Sequence, residues 1–336
     1  MARGMGSATI RDVARRAEVS VASVSRALNG HENVHPDTRA RVRDAAAALG
    51  YVPHAGARSL SLARTQAIGI VLPDLYGEFF SEIVRGMDRE TSARGYHLLL
   101  SNMHADAGLA ALAMRSMRGR VDGLIVMAPQ LDNAGLDAAL PPGLPAVLIN
   151  AADGGGRPLL RVDNATGIAA AMRHLAQTGR RAPVHVAGPD ANIDGRERRA
   201  AYVAAMARHF PDAPVRVVPG DFTEEAGARA IAELRTGAPF DAVVAANDMM
   251  ALGALHALRE GGVDVPRAVA VTGFDDVPVA RYLSLTTVHV DLIGLGSRAV
   301  ARLVDRLTGA PADDSTELIA TDLVVRASSA TTERTA

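Results

Sequence analysis

The sequence predicts a small all-α headpiece followed by a larger, two-lobed α/β domain. Two patterns along the 336-residue chain lead to this fold class. In roughly the first sixty positions, apolar residues recur at helical spacing in three short segments. Beyond them, short apolar runs alternate with alanine-rich helical stretches, which is typical of βαβ units around parallel sheets. This later region is too long for one compact sheet, so two α/β lobes are expected.

The headpiece is expected to contain three helices, of which the first two are joined tightly. A first helix over about 10 to 17 begins behind Thr9, whose spacing to Asp12 matches a capping box. Ser20 can cap a second helix from Val21 to Leu28. A third helix begins with Pro36 and stops at Gly50. Two short helices joined by so short a turn predict a helix-turn-helix.

A helix-turn-helix places its second helix in the major groove of DNA. Val21, Ala22 and Arg26 are the expected contacts to base edges, and Arg26 is long enough for a bidentate contact. The short polar side chains suited to phosphate oxygens are Ser20, Ser23, Ser25, Asn29 and Thr38. Thr9 and Asn33 complete the expected DNA-contacting set. A generic three-helix bundle with polar caps is the alternative that these residues leave open.

The charge distribution favours a polyanionic partner for the headpiece. The whole chain has 36 basic and 37 acidic residues and a formal net charge of −1. Residues 1–64 contain ten arginines and five acids, a net charge of +5, which leaves −6 on the rest of the chain. A basic segment beside an acidic body indicates nucleic acid binding, with chance clustering of solvated charges as the alternative.

The residue types that the chain lacks exclude several enzyme mechanisms. All 36 basic residues are arginine, so a Schiff-base lysine and a phosphate-loop lysine are excluded. Because there is no cysteine, disulfides, thiolate nucleophiles and cysteine zinc sites are excluded too. The ten histidines are scattered, so neither a metal site nor a cofactor is expected. Residues 1–7 lack a signal-peptide core and no apolar run is long enough to span a membrane, so a cytoplasmic, nucleoid-associated protein is expected.

The α/β region is expected to contain eight strands with helices between them. The apolar runs that predict strands cover residues 68–72, 97–101, 123–127, 147–150, 184–187, 216–218, 242–245 and 268–272. The intervening segments with helical spacing cover residues 82–94, 165–179, 196–209 and 249–260. In such folds, ligands bind at the carboxyl ends of the parallel strands.

A series of motifs resembles one family over nearly the whole chain. The motifs include TIRDVARRAEVSVASVSRALN at 9–29, PDTR at 36–39, LGYVP at 49–53, VDGLI at 121–125, NDMMALG at 247–253, GFDD at 273–276 and LVVR at 323–326. In this order and spacing they resemble the lactose/galactose-repressor (LacI/GalR) family of transcriptional regulators. The resemblance implies a lambda-repressor-like helix-turn-helix domain over 1–52, a hinge over 53–65 and a periplasmic-binding-protein-like effector domain. It assigns 66–162 with 291–320 to an N-lobe, and 163–290 with 321–336 to a C-lobe.

The same resemblance implies further site residues. In the hinge, Ala57 and Leu60 match positions that contact DNA, and Leu60 matches a leucine that wedges into the minor groove. In the cleft between the lobes, the matching effector-binding residues are Phe79, Phe80, Asn150, Asp163, Asn192, Asp194, Arg198, Phe222, Asn247 and Asp275. Charged and amide groups beside aromatic rings suit a sugar. The sequence departs from the family pattern at Gly77-Glu78, where Asn-Pro is common.

The expected function is therefore ligand-controlled transcription regulation and not catalysis. We expect a homodimeric repressor of carbohydrate-utilisation genes, which a mono- or oligosaccharide inducer releases from a pseudo-palindromic double-stranded DNA operator. Three alternatives remain: a purine-type regulator for which the ligand is a co-repressor, a transport sugar-binding protein, and an NAD-dependent oxidoreductase. The last is suggested by the G-x-G-x-x-A pattern over 294–299, although it lies far from the first βαβ unit. The transport protein would need a secretory signal and has no use for residues 9–60.

Overall fold

The chain divides into two compact units, Met1–Gln66 and Ala67–Ala336. The computed structural model describes residues 8–29, 33–52, 64–104, 106–311 and 313–330. The first unit is all-α within its described residues, and the second contains two parallel α/β lobes. The predicted fold class is confirmed.

The first unit consists of three helices around a small apolar core. They are α1 (Ile10–Arg16), α2 (Val21–Leu28) and α3 (Pro36–Ala48). Val13, Val24 and Val42, one from each helix, are fully buried at the centre. The predicted turn between α1 and α2 is present, and Glu18 takes a left-handed φ of 54° in it. The local spacing of apolar residues therefore predicts this unit nearly to the residue, because each helix needs only one buried face.

The second unit contains two six-stranded sheets. Sheet A has the order β11-β5-β4-β3-β1-β2 and is parallel throughout. Its strands are β1 (Ala67–Leu72), β2 (His97–Asn102), β3 (Gly123–Met127), β4 (Ala146–Ile149), β5 (Leu159–Val162) and β11 (Thr316–Ile319). Sheet B has the order β12-β10-β9-β8-β6-β7, and only β12 runs antiparallel. Its strands are β6 (Pro183–Ala187), β7 (Val217–Pro219), β8 (Ala242–Ala245), β9 (Ala270–Asp275), β10 (Thr286–Val290) and β12 (Thr321–Val324).

Helices cover the faces of both sheets. They are α4 (Glu78–Ala93), α5 (Ala107–Ser116), α6 (Asn133–Ala139), α7 (Asn164–Gln177), α8 (Ile193–His209), α9 (Glu224–Leu234), α10 (Asp248–Glu260), α11 (Pro278–Tyr282) and α12 (Leu292–Thr308). We call sheet A with α4, α5, α6 and α12 lobe A, and sheet B with the other five of these helices lobe B. The chain passes between the lobes at Asp163, Asp291 and Ala320, immediately after β5, β10 and β11.

Four strands of the structure were not predicted, namely β5, β10, β11 and β12. Each is four or five residues long and, unlike the equally short β8 with its sequence AVVA, contains a polar or charged residue that interrupts the apolar run. Such a segment gives no continuous apolar signal, and it becomes a strand because a neighbouring strand offers backbone partners.

The strand that carries Asp275 is longer than predicted. The apolar run predicts an end at Thr272, before a glycine, but β9 continues to Asp275. A Cβ atom at Gly273 would lie 2.1 Å from the Asp248 carboxylate, so the glycine allows helix α10 to approach the strand closely. A glycine after an apolar run usually indicates the end of a strand, but here the packing of α10 against β9 places the glycine within the strand.

The two glycines of the 294–299 pattern have separate structural reasons. Helix α12 packs along α4. A Cβ atom at Gly296 would lie 2.1 Å from the carbonyl oxygen of Ile83, and one at Gly86 would lie 2.0 Å from that of Ile293, so these glycines permit close contact between the helix backbones. A Cβ atom at Gly294 would lie 1.9 Å from the Asp291 carboxylate, which caps α12.

Candidate functional site

The exposed face of α2 carries the predicted base-contacting residues. Val21 is 42% exposed, Ala22 and Arg26 are also exposed, and Val24 and Ala27 face the core. Arg26 is held along its own helix by a bond from Nε to the carbonyl oxygen of Ala22, at 3.3 Å. This arrangement presents two small apolar side chains and one guanidinium to solvent, which is a surface suited to base edges.

The predicted phosphate-contacting residues lie around the helix ends of the first unit. Ser20 caps α2 by accepting the backbone N–H of Ser23 at 3.0 Å, and Ser23 Oγ lies 2.9 Å from Ser20 Oγ. Thr9 Oγ1 donates to Asp12 Oδ2 at 2.7 Å, which satisfies the start of α1. The other members of the set are half-buried, except for the exposed Asn33; they are Ser25, Asn29 and Thr38. Ala57 and Leu60, predicted to contact DNA from the hinge, lie outside the described residues.

A second candidate site is the cavity between lobe A and lobe B, of about 230 Å³. Its walls come from loops at the carboxyl ends of β1 and β3 in lobe A, and of β6, β7, β8 and β9 in lobe B. Eight of the ten predicted effector-binding residues line it: Phe79, Phe80, Asn192, Asp194, Arg198, Phe222, Asn247 and Asp275. Parallel strands deliver their carboxyl ends to one edge of each sheet, so residues far apart in sequence meet here.

Arg198 is the central cation of the cavity. It lies on α8 and is only 3% exposed. Its Nε donates to Asn164 Oδ1 at 2.8 Å, its Nη1 donates to the carbonyl oxygen of Ala246, and its Nη2 lies 3.3 Å from Asp275 Oδ1. The guanidinium carbon also lies 3.7 Å from the centroid of the Phe274 ring. The fork is therefore fixed from three sides, as a group that orients a ligand should be.

Asp275 is a buried carboxylate paired with this guanidinium. It is 4% exposed and takes a φ of 106°, a left-handed conformation that is strained for a non-glycine residue. Burial raises the pKa of Asp275 to about 7, and the charge of Arg198 opposes that rise. Beneath it, burial raises the pKa of Asp248 well above its ordinary value, and the Asp275 charge adds to the effect. A charged or hydroxyl-bearing ligand group beside Asp275 would thus meet a strongly polarised site.

Asn150 and Asp163 do not line the cavity, contrary to the prediction. Asn150 is 1% exposed; its Nδ2 donates to Asp194 Oδ2 at 2.9 Å, and its Oδ1 accepts the backbone N–H of Val162. Asp163 caps α7 by accepting the backbone N–H of Thr166 at 3.0 Å. Both residues hold the chain where it crosses between the lobes. In each residue, the side-chain oxygen that accepts a backbone N–H is not available to a ligand.

Asn164 bonds to the polar residues of α8 beside this crossover. It is 2% exposed, and its Nδ2 donates to Asp194 Oδ1 at 2.8 Å and to Glu197 Oε2 at 2.9 Å. Glu197 also pairs with Arg161 of lobe A. Sequence reasoning missed Asn164, because an asparagine at the start of a helix ordinarily indicates only a cap.

Two predicted residues have structural roles in addition to their places in the lining. Asn192 caps α8 by accepting the backbone N–H of Asp194 at 2.9 Å. Asn247 caps α10, and its Nδ2 donates to the carbonyl oxygen of Phe222 at 3.0 Å. Phe222 itself takes a left-handed φ of 70°. The cap and the strained turn together place the Phe222 ring at the cavity wall.

The remaining walls are mainly apolar. The rings of Phe79 and Phe80 meet edge to face, with centroids 5.1 Å apart. Further lining residues were not predicted: Pro73, Asp74, Tyr76, Gly77, Met127, Pro129, Gln130, Pro189, Ala191, Asp221, Thr223 and Met249. Several of these residues directly follow predicted strands, and that position is the feature of the sequence that indicates a place in the cavity lining. Their side-chain types alone indicated only a loop.

Comparison with known proteins identifies the family. Residues 9–54 match the bacterial regulatory proteins of the lacI family, and residues 172–329 match a periplasmic binding protein-like domain. The HTH-type transcriptional regulator CelR of Thermobifida fusca is 34% identical over 95% of this chain and 98% of that protein. The chain belongs to the lacI family. The HTH-type transcriptional regulator GalR of Escherichia coli strain K12 is 33% identical over 96% of both chains.

Solved structures of lacI-family proteins show the same architecture. The lac repressor dimer bound to operator and the anti-inducer ONPF matches with a TM-score of 0.87 and 28% identity, over 96% of this chain and 99% of that one. The CelR–cellobiose complex matches with a TM-score of 0.69 and 31% identity, over the same shares of the two chains. This lacI-family chain is a helix-turn-helix transcriptional regulator that carries a ligand-binding domain.

Two further observations bear on other classes of protein. Within the described ranges, no group of three or more histidine and acidic side chains is arranged to hold a metal ion. Over the same ranges, none of the helices combines the length and the apolar character needed to cross a bilayer.

Proposed function

We propose that this chain is a homodimeric repressor that a neutral sugar releases from a pseudo-palindromic operator. The observation that carries the proposal is the Arg198–Asp275 pair fixed beside aromatic walls in the interlobe cavity. A guanidinium and a carboxylate 3.3 Å apart can donate to and accept from neighbouring hydroxyl groups, while a phenylalanine face packs against a sugar ring. The CelR relative whose complex holds cellobiose supports the choice of ligand class.

The charges of the cavity favour a ligand without a negative charge. Its lining includes the carboxylates of Asp74, Asp194 and Asp221 and the carboxyl group of Asp275, against one lining guanidinium, that of Arg198. Arg229 pairs with Asp221 at 2.9 Å, and the pKa of Asp275 is raised to about 7, so the excess of negative charge rests mainly on Asp74 and Asp194. An anionic sugar acid or sugar phosphate would meet like charges in a partly desolvated site, which costs binding free energy. The hydroxyl groups of a mono- or oligosaccharide can form hydrogen bonds with the donors and acceptors of the cavity, and they bring no negative charge into it.

Twofold symmetry is proposed because one short recognition helix reads too few base pairs. An apolar surface on lobe A supports self-association. The edge strand β2 leaves Leu99 and Leu100 37% and 38% exposed, and α5 leaves Leu112 58% exposed. Apolar side chains along an unpaired edge strand are usually covered by a partner.

A DNA-bound regulator of this kind would work in the cytoplasm and would have no catalytic role.

Fluorescence anisotropy of a labelled duplex from the region upstream of the protein's own coding sequence tests the proposal. The full chain is titrated onto the duplex, and then cellobiose, lactose, galactose and glucose are added in turn. We expect tight binding to this duplex, weaker binding to random DNA, and release by one of the sugars. A sugar that strengthens binding would reverse the direction of control and support the co-repressor alternative. No response to any of the four sugars would contradict the choice of ligand and leave DNA binding standing.

A further inference from the structure

The segment over residues 73–80, here called the rim segment, contains the loop after β1 and the first residues of α4, and it is bonded to lobe B at two points. Tyr76 Oη donates to Glu224 Oε2 at 2.6 Å, and Glu78 Oε2 accepts the backbone N–H of Val279 at 2.8 Å. Glu224 begins α9 and Val279 lies in α11, so the segment reaches two different helices of the opposite lobe. The same segment contributes Phe79 and Phe80 to the cavity wall. These bonds therefore span the cavity from one lobe to the other.

Gly77, between the two bonding residues, has the backbone conformation that the arrangement needs. Its φ is 79°, in the region that favours glycine, and it lies against lobe B: a Cβ atom there would be 3.5 Å from Met249 Cγ. The chain therefore turns at Gly77 so that the residues on both sides of it contact lobe B. The departure from the family pattern noted above has a consequence here, because a proline at 78 would carry no carboxylate for Val279.

The interlobe contacts at the rim differ from those at the crossovers. The bond from Asn150 to Asp194, beside the crossovers, is fully buried. The Tyr76–Glu224 bond is exposed and the Glu78–Val279 bond is partly buried, so water can replace them when the lobes separate. A rotation about the crossovers displaces the rim farther than the buried contacts. Opening the cavity on this side therefore breaks the rim bonds, and the backbone bond from Ile193 N–H to the carbonyl oxygen of Pro129, at 3.1 Å, is a further contact between the lobes.

We propose that Tyr76 and Glu78 form a two-part latch that holds the lobes together over the cavity and controls access to it. The latch would regulate access to the proposed effector site. It rests on the proposed function in one respect, which is that the cavity is the ligand site. The bond to Glu224 also raises the pKa of Tyr76 to about 12. Breaking either half of the latch speeds the opening of the cavity.

The absence of cysteine makes this opening measurable with one introduced thiol. Met127 lines the cavity and is only 2% exposed, so the thiol of Met127→Cys reacts with Ellman's reagent only when the lobes part. Where the closed form predominates, the reaction rate follows the opening equilibrium constant. We expect Tyr76→Phe and Glu78→Ala each to raise the rate about tenfold, because each removes a hydrogen bond to a charged group.

Matched variants separate the latch from general effects of substitution. Tyr282→Phe removes the hydroxyl of a tyrosine that is 85% exposed on lobe B, and Glu225→Ala truncates the neighbour of Glu224. Neither should change the rate. Glu224→Ala should act like Tyr76→Phe, and the two together should add little to either alone, because both remove the same bond. Urea unfolding of each variant shows whether faster labelling comes from global instability.

Three results would overturn the latch. In one, the Met127→Cys thiol reacts as fast as an exposed thiol in the otherwise unaltered chain. In another, the rate is insensitive to both Tyr76→Phe and Glu78→Ala. In the third, the control variants raise it equally. If Met127→Cys does not fold, Met249→Cys on the opposite wall serves as the reporter. The measurement needs neither DNA nor sugar, so a failure of operator binding in the anisotropy experiment would contradict the proposed function without affecting this result.

Discussion

His185 gives lobe B a measurable dependence of stability on acid. Its side chain is fully buried on β6, where Nδ1–H donates to the carbonyl oxygen of Val244 at 2.8 Å. The ring stacks on Tyr202, with centroids 5.0 Å apart. Burial, with smaller contributions from the charges of Arg198 and Arg199, lowers the pKa of His185 from 6.5 to about 4 against the opposing effect of the bond to Val244. The folded protein therefore holds this imidazole neutral at pH values where an unfolded chain protonates it.

The sign and size of the effect follow from this difference. Between pH 6.5 and about 4 the unfolded chain binds a proton at His185 that the folded protein does not bind. The contribution of His185 to the unfolding free energy is therefore fully present above pH 6.5 and is lost as the pH falls through this range. At about 1.4 kcal/mol for each pKa unit, the loss of unfolding free energy is about 3 kcal/mol. Asp275, whose pKa burial raises to about 7, contributes with the opposite sign in an overlapping range. The wild-type curve alone therefore does not isolate the histidine.

A comparison of the wild type with His185→Leu isolates it. Urea unfolding of both proteins is followed by circular dichroism at one protein concentration, from neutral pH down to about pH 4. We expect the difference in unfolding free energy to shift by about 3 kcal/mol in favour of the leucine variant as the pH falls. Curves that remain parallel over this range would refute the assignment of a buried neutral imidazole.

Three further predictions concern the two sites and the fold. Arg26→Ala should weaken operator binding by about 1 to 3 kcal/mol and relax the preference at one base pair of each half-site in an anisotropy assay; an equal loss on random DNA would make it a phosphate contact. Arg198→Ala should leave DNA binding intact and abolish the response to the sugar, and calorimetry showing undiminished sugar affinity would remove Arg198 from the site. Gly86→Ala should destabilise the second unit by about 1 to 3 kcal/mol in urea unfolding, because its Cβ would overlap the backbone of α12. Gly237→Ala, where a Cβ meets only ordinary contacts of 3.7 Å or more, should be close to neutral and is the matched control.

Local sequence rules predicted the headpiece well. Helix α2 begins and ends where the spacing of Val24 and the cap at Ser20 place it. The reason is that a cap and an apolar period act over three or four residues, which is the range that a sequence pattern describes.

The lobes show where such rules stop. The expected end of β9 at Thr272 was wrong because the glycine after it serves the approach of Asp248, a contact that no local pattern records. Asn150 and Asp163 follow strands as the cavity residues do, yet hydrogen bonds to backbone groups hold them at the crossovers. Strand position predicts which edge of the sheet a side chain reaches. It does not predict whether that side chain lines the cavity or bonds to backbone groups at a crossover.

The sequence by itself determined the family, the helices of the first unit and about half of the polar groups that line the cavity. These depend on residue types and on spacings within one element or one motif. Only the tertiary structure decided that Asn164 joins Arg198 to Asp194, and that Tyr76 and Glu78 reach across to Glu224 and Val279. These contacts join residues that are 30 to 201 positions apart. The packing of two sheets sets their distances, and no local periodicity encodes it.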